Sequence, residues 1–492
     1  MRLAAALLAL VLAAPVAAQE QESVEAGAGF GAAGLENCRT DLRYLNQLFG
    51  WQMSWQREWQ TLANAPDDEL RAAIMRWRTA PAALDRDVAA LRAASERGPG
   101  AAPRVIAERV LAEVEDLAIM LRRGAPPLRA DADPALRRAW EQLVSAEIAP
   151  AVERYRDFLK DLYVPAASAS AGLSGTPDGP RCFRQAVRVF TTIDRPPEEI
   201  ERIGWRLLRE SEGALARLYG IDRRALPRLL ARLRDTREAG FTADRLTAMS
   251  VAAIARARAA MPRMFSGPAR ADVVVEPLPT AMEASAAAGF YRRAASGRPV
   301  AYVINRARPG ERRLMAEAIA FHETLPGHHV TAALGLPDGA FNSGYAEGWA
   351  LYAEYLADEM GLYSSPLDRA GMIAKHLWAA SRLVVEPGLH LRGWTRDRAV
   401  RFMRAHTALT DAEIAVEVDR YIATPGQSLS YMLGYDRIAG ARRYAERTLG
   451  ARFDLRRFHD VVLRPGARPL DRVHADVVRW ADRGGEGPHS TP

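Results

Sequence analysis

Apolar residues recur on one helical face along most of the chain. Leu42, Leu45, Leu48 and Phe49 do so, and Val105, Ile106, Val110 and Leu111 repeat the arrangement. From about residue 35 to 162 the pattern predicts four long helices. They are separated at Ala65-Pro66-Asp67, Gly98-Pro99-Gly100 and Gly124-Ala125-Pro126-Pro127. Helix resumes over 197–263, opened by Pro196-Pro197-Glu198-Glu199 and carrying Ile203, Leu207, Leu208 and Leu215 inward. The period then changes. Residues 272–276, DVVVE, and 300–305, VAYVIN, are short and β-branched, which predicts two strands, the first ended by Pro277 and Pro279. A helix follows from near Glu311 to His322 with Leu314, Ile319 and Phe321 packed inside. Another begins after Gly344-Tyr345-Ala346. Residues 368–403 form one or two more, broken at Pro387-Gly388, and Pro425-Gly426 opens a further helix.

The ends and the charges narrow the class. Residues 1–18 combine Arg2, a short apolar run and Val16-Ala17-Ala18, which reads as a secretory leader. The run is too short to span a bilayer, and no cysteine follows it to carry a lipid anchor. A soluble periplasmic or secreted protein is expected. Residues 20–35 are Gly/Ala-rich and loose. The net charge of +7 arises almost wholly from arginines spread through acidic helices, with lysine only at Lys160 and Lys375. That dispersion argues against nucleic acid as a partner. The two cysteines, Cys38 and Cys182, suit one long-range disulfide in an oxidising compartment. Trp51, Trp55, Trp59 and Trp77 are read as core residues, and 164–181 as a loop of small residues.

The chemistry concentrates in Phe321-His322-Glu323-Thr324-Leu325-Pro326-Gly327-His328-His329, which holds three of nine histidines. The zincin pattern His-Glu-x-x-His would place two imidazoles one turn apart on one face. Here the fifth position is Pro326. On an unbroken helix His328 would point about 240° away from His322, and His329 would lie about 10 Å along the axis. Pro326 cannot continue the helix, and Gly327 makes a distortion cheap. The reading is a two-residue Pro-Gly bulge that returns His328 to the place of the missing histidine, with His329 as the rival ligand. Glu347, in Glu347-Gly348-Trp349-Ala350-Leu351-Tyr352-Ala353-Glu354, offers a carboxylate nineteen positions after His328. Glu354 lies two turns further on the same face, too far to share the metal.

These motifs, HExxPGHH, EGWALYAE and PGQSLSYMLG at 425–434, together resemble a bacterial family catalogued as domain of unknown function eight-eight-five, which looks like a branch of the gluzincin zinc peptidases. The resemblance runs from about Gly172 to Gly440. It implies that zinc is held by His322, His328 and Glu347, with Glu323 as general base. Glu354 is assigned to hold the Nδ1–H of a ligand histidine. Tyr431 and His390 are candidates to stabilise the oxyanion. Arg420 either meets a substrate carboxylate or pairs with Glu417, and the pairing is preferred. The family's acid before the PGQS motif is an Asp, replaced here by Glu386, and Phe183 stands where the family has Tyr. In gluzincins an edge strand binds extended peptide, and the run ending at Asn305 is the candidate. His459, His474 and His489 are expected to face solvent.

The resulting expectation is a mainly α, two-lobed, gluzincin-like helical peptidase with a deep cleft and a small β-sheet at the cleft wall. Its divisions are a leader over 1–18, an N-terminal helical region over 19–165, a zinc catalytic region over 166–485 that forms one unit with the preceding helices, and a tail over 486–492. It would hydrolyse short peptides by a zinc-activated water. The alternatives are a non-catalytic exported metal-dependent binding protein and a zinc amidohydrolase acting on a non-peptide amide.

Overall fold

The computed structural model describes residues 45–48, 50–96, 102–176, 178–235, 240–267, 272–278, 283, 288–294, 299–333 and 342–486. The leader, the 20–35 segment, Cys38, the Gly98-Pro99-Gly100 break and His489 lie outside them. Helix dominates, with one small sheet.

The N-terminal part is α1 (Trp51–Leu62), α2 (Asp67–Trp77), α3 (Ala80–Glu96), α4 (Arg104–Arg123) and α5, a continuous run over 134–166 with π turns at Val144–Ile148 and Leu159–Tyr163. That is one helix more than the sequence reading gave. The extra break falls at Arg78-Thr79, because Pro81 lacks an N–H and is accommodated only in the first turn of a helix. The tryptophans are core, as expected. Trp55 and Trp77 meet edge-to-face at 4.9 Å, and Trp77 meets Trp140 at 5.9 Å.

The chain continues through α6 (Gly179–Thr191), α7 (Pro197–Tyr219), α8 (Leu226–Arg234) and α9 (Ala243–Met264). The sheet has β1 (Val274–Pro277), β2 (Gly289–Arg292) and β3 (Ala301–Ile304), in the order β1-β3-β2. β3 pairs with β1 in parallel and with β2 antiparallel. Both predicted strands are present, and β2 was missed. This order overturns one expectation. The run ending at Asn305 is the central strand, all four residues of β3 are buried, and neither of its edges is open to a peptide.

After the sheet come α10 (Ala316–Glu323), α11 (His328–Ala333), α12 (Ser343–Glu359), α13 (Pro366–Leu391), α14 (Arg396–His406), α15 (Asp411–Ala423), α16 (Leu429–Leu449), α17 (Leu455–Leu463) and α18 (Leu470–Asp482). Among the described residues no helix is long and apolar enough to cross a membrane. Pro387 does not break α13, which runs straight through it. Burial on every side of this helix outweighs the lost backbone hydrogen bond.

Two hydrophobic cores result. One gathers α7, α9, α12 and α16, and the other gathers the N-terminal helices with α15. The long helix α13 belongs to both. Met372, Ile373, Leu377 and Leu383 enter the first core, while Val384, Val385 and Leu389 enter the second. Each such side chain, fully buried, contributes about 1.5–3 kcal/mol. Cys182 is disulfide-bonded, and Cys38 is the only other cysteine in the sequence. His459 does not face solvent. It is fully buried, with Nδ1 2.7 Å from Met264 O and Nε2 3.0 Å from the Tyr352 hydroxyl.

Candidate metal centre

Helix α10 ends one residue after His322. Thr324 leaves the helical region, and its hydroxyl donates back to Ala320 O. The Leu325–Pro326 peptide is cis. The Gly327 N–H donates to Phe321 O at 3.1 Å. A Cβ on Gly327 would stand 1.9 Å from His322 O, so no other residue fits this turn without a backbone shift. A new helix, α11, then starts at His328. The expected bulge within one helix is therefore a full break between two helices. The break accomplishes what the bulge was invoked for, since the His322 and His328 rings face each other edge-on at 4.8 Å. His329 is turned elsewhere, with Nδ1 3.1 Å from the Tyr291 hydroxyl of β2.

Glu347 comes from α12. The Asn342 side chain caps that helix by accepting from Tyr345 N, which places Glu347 in its second turn. Trp349, next along, donates its indole N–H to Pro326 O at 3.0 Å and fixes the turn between the histidines. α12 crosses α16 closely enough that a Cβ on Gly348 would lie 2.4 Å from Gly434 Cα, and one on Gly434 would lie 2.0 Å from Gly344 O. The two motif glycines thus seat Tyr431 beside the cluster. Its ring lies 6.2 Å from the His322 ring at 17°.

One ligand atom from each of His322, His328 and Glu347 lies within 4.8 Å of the others. Glu347 Oε2 is 3.2 Å from His322 Nε2 and 3.6 Å from His328 Nε2. Ligand atoms of a tetrahedral zinc with bonds near 2.0–2.1 Å stand about 3.3 Å apart, so the donor set fits such an ion. On the far side of His322, Nδ1 donates to Glu354 Oε1 at 2.7 Å, which leaves Nε2 for the cluster. Lys375, from α13, pairs with the same carboxylate and lies 2.9 Å from the same nitrogen. His376 Nε2 is 3.3 Å from Glu354 Oε2.

The electrostatics follow from this crowding. Burial and the Lys375 ammonium oppose protonation of His322, but Glu347, Glu354 and Glu323 outweigh them and push the imidazole up to about 9. Burial would raise the Glu347 carboxyl, yet His328 and His322 hold it well below the usual carboxylate range. Glu354 is held down in the same way, chiefly by Lys375.

Glu323, adjacent to His322, accepts from the Tyr291 N–H of β2 at 3.0 Å. β2, which the sequence reading missed, is therefore the strand beside the metal helix. Lys375 was missed too. Its signal was its rarity, since it is one of two lysines in an arginine-rich chain.

His390 is not brought to the cluster. It is fully buried, stacked on Phe183 at 5.1 Å, and both ring nitrogens are engaged with backbone: Nδ1 accepts from Leu173 N and Nε2 donates to Tyr421 O. Burial pulls its imidazole down to about 4. Glu386 accepts from Gly426 N and Ser428 Oγ and so ties the PGQS turn to α13. Arg420 makes a two-pronged pair with Glu417 and donates to Gln427, the structural role preferred for it.

Lys375, Arg382, Glu386 and His390 form one buried polar stripe on α13. Their spacings of seven, four and four keep them within about 80° around the helix. Lys375 reaches α10 and α12, Arg382 reaches α15, Glu386 the 426–428 turn, and His390 both α15 and the backbone at 173.

A family profile described as a bacterial protein of unknown function (DUF885) matches residues 2–477. No curated protein matches the chain. The fold is similar to that of a candidate lipoprotein from Colwellia psychrerythraea, at 25% identity and a TM-score of 0.78, over 89% of this chain and 80% of that one. It is also similar to a candidate lipoprotein of unknown function from Shewanella oneidensis, at 16% identity and a TM-score of 0.64, over 83% of this chain and 78% of that one.

Proposed function

Because the chain belongs to the bacterial DUF885 family, whose function is unknown, we propose from its own site that it is a zinc-dependent peptidase acting on short peptides. The observation that carries this reading is the convergence of His322, His328 and Glu347 with Glu323 directly beside them. His322 Nε2, His328 Nε2 and Glu347 Oε2 would hold the ion. When bound, zinc supplies Lewis acidity to a water and to the substrate carbonyl.

The chain's residues do the rest. Glu323 takes the proton of the attacking water and returns it to the leaving amine. The Tyr291 N–H holds Oε2 of Glu323 and leaves Oε1 to take the proton. Tyr431, stacked beside His322, donates its phenol to the oxyanion that forms at the carbonyl. Glu354, with Lys375 behind it, keeps His322 in the tautomer that binds metal. β2 is the edge strand beside Glu323, and its outer backbone groups other than the Tyr291 N–H would pair with an extended peptide, the part first assigned to β3, in a cleft between the two cores. Export to the periplasm or beyond is part of the same reading. It is supported by the leader-like sequence over 1–18 and by likeness to the Colwellia protein.

The test is Glu323→Gln. The variant should retain zinc and fold, and peptide hydrolysis should fall by about 10²–10⁴-fold, the usual worth of a positioned base. Hydrolysis at the parent rate with zinc bound would remove Glu323 from this role. Absence of any peptide or amide cleavage by the zinc-loaded parent, in a library screened by mass spectrometry, would favour a binding protein instead.

A further inference from the structure

Next to Tyr431 lies a guanidinium whose surroundings are unusual. Arg382 is 3% exposed. Aromatic rings crowd it, with Cζ 4.3 Å from the Trp378 ring and 4.5 Å from the Tyr431 ring. Of its three nitrogens, Nε donates to the Tyr421 hydroxyl at 3.2 Å and Nη2 to Glu417 Oε2 at 3.1 Å. No described residue accepts from Nη1. Glu417 is shared, since it also takes the two-pronged pair from Arg420, whose remaining nitrogen goes to Gln427. Two buried cations therefore lean on one carboxylate. The other acid nearby, Glu386, is committed to Gly426 and Ser428, and its burial pushes it up to about 7. What Arg382 keeps is an uncommitted donor, which an incoming carboxylate can accept from with a charge-assisted hydrogen bond.

We propose that Arg382 anchors a free carboxylate of the substrate through Nη1, so that the preferred substrates are peptides cut close to their own C-terminal end. This deepens the peptidase reading above and rests on it. The distances set the length. Arg382 stands 4.5 Å from the Tyr431 ring, which stands 6.2 Å from the His322 ring, so the guanidinium is at most the reach of about three extended residues, at roughly 3.5 Å each, from the metal side. The carboxylate therefore lies one to three residues beyond the bond attacked at the metal. Guanidinium suits this role because it stays charged when buried and presents its donors in a fixed plane.

The experiment compares two randomised N-acetylated tripeptide pools, one with a free C-terminal carboxylate and one amidated, on the zinc-loaded full chain. Retention by ultrafiltration reads binding, and mass spectrometry reads cleavage. The acid pool should be retained about 10- to 100-fold more strongly, the range of one hydrogen bond to a charged group. In Arg382→Gln the ratio should fall to about one while the weak retention of the amide pool stays. Arg382→Lys, which keeps a charge without the planar fork, should fall between. Equal retention of the two pools by the parent overturns the proposal without need of a variant, as does no retention of either. A preference that survives in Arg382→Gln also overturns it. The two readings fail separately. A carboxylate preference in binding with no cleavage sinks the peptidase and leaves the anchor, whereas equal cleavage of acid and amide sinks the anchor and leaves the peptidase.

Discussion

His328 and His329 are neighbours in sequence, yet one faces Glu347 and the other the Tyr291 hydroxyl. The consequence is a sharp contrast between two alanine variants. His328→Ala should reduce zinc from about one ion per chain, as a single three-ligand site requires, to a trace. His329→Ala should keep the ion. Elemental analysis of dialysed protein reads both, and metal lost only from the His329 variant would reassign the ligand. At this scale the sequence told much. Two imidazoles, a following carboxylate and a second acidic motif named the right cluster without coordinates. What it could not tell was which side chains back the ligands. Lys375 and Tyr291 come from segments with no motif of their own, and only tertiary packing brings them to His322 and Glu323. His390 misled for the converse reason. Its position after Pro387-Gly388 suggested a ring aimed into the cleft, but the helix stays intact and the ring is spent on backbone groups.

Among the elements, the crossing of α12 and α16 is the most demanding contact near the site. Gly434→Ala places a methyl 2.0 Å from Gly344 O, so the helices must separate. Overpacking of this kind costs about 1–3 kcal/mol and here displaces Glu347 and Tyr431 together. The variant should melt earlier and hold zinc more weakly, and an unchanged melting curve with full metal content would contradict the packing argument. α13 has its own signature in acid. His390 is neutral in the fold, at about 4, whereas it titrates near 6.5 once unfolded. The unfolded chain thus binds the proton more readily. The stabilisation is whole above pH 6.5 and drains away as pH falls toward 4, by on the order of 3 kcal/mol. His459, pulled down to about 3 by burial, acts with the same sign. Urea midpoints at pH 7 and pH 5 should differ less in His390→Gln than in the parent. Periodicity predicted most helices because their apolar stripes are one-sided. It failed at α13, where both sides are buried and a proline no longer marks an end, and at β2, where four residues give too short a pattern.

In the whole molecule, the N-terminal helices are joined to the rest of the chain through α13, through α15 and through the disulfide at Cys182. Protein purified from an oxidising compartment, denatured without reductant, should show no free thiol. Two free thiols would mean that the bridge to Cys38 does not form there. A loop of that length contributes about 4–5 kcal/mol in the chain-entropy account, so reduction should lower the melting temperature. The general class, mainly helical with a small sheet, was legible from pattern alone. The sharing of one helix by two cores was not, because periodicity reports that a face is buried and not against what. The polar stripe of α13 has a further consequence, best put in terms of the reading frame. A single codon inserted between 375 and 382 rotates everything after it by about 100° and advances it 1.5 Å. It would unseat in one step Arg382 and His390 from α15, Glu386 from the 426–428 turn and His390 from the backbone at 173. Point changes along α13 can be absorbed one at a time, but its spacing cannot be edited. Between Lys375 and His390 the gene is fixed in length.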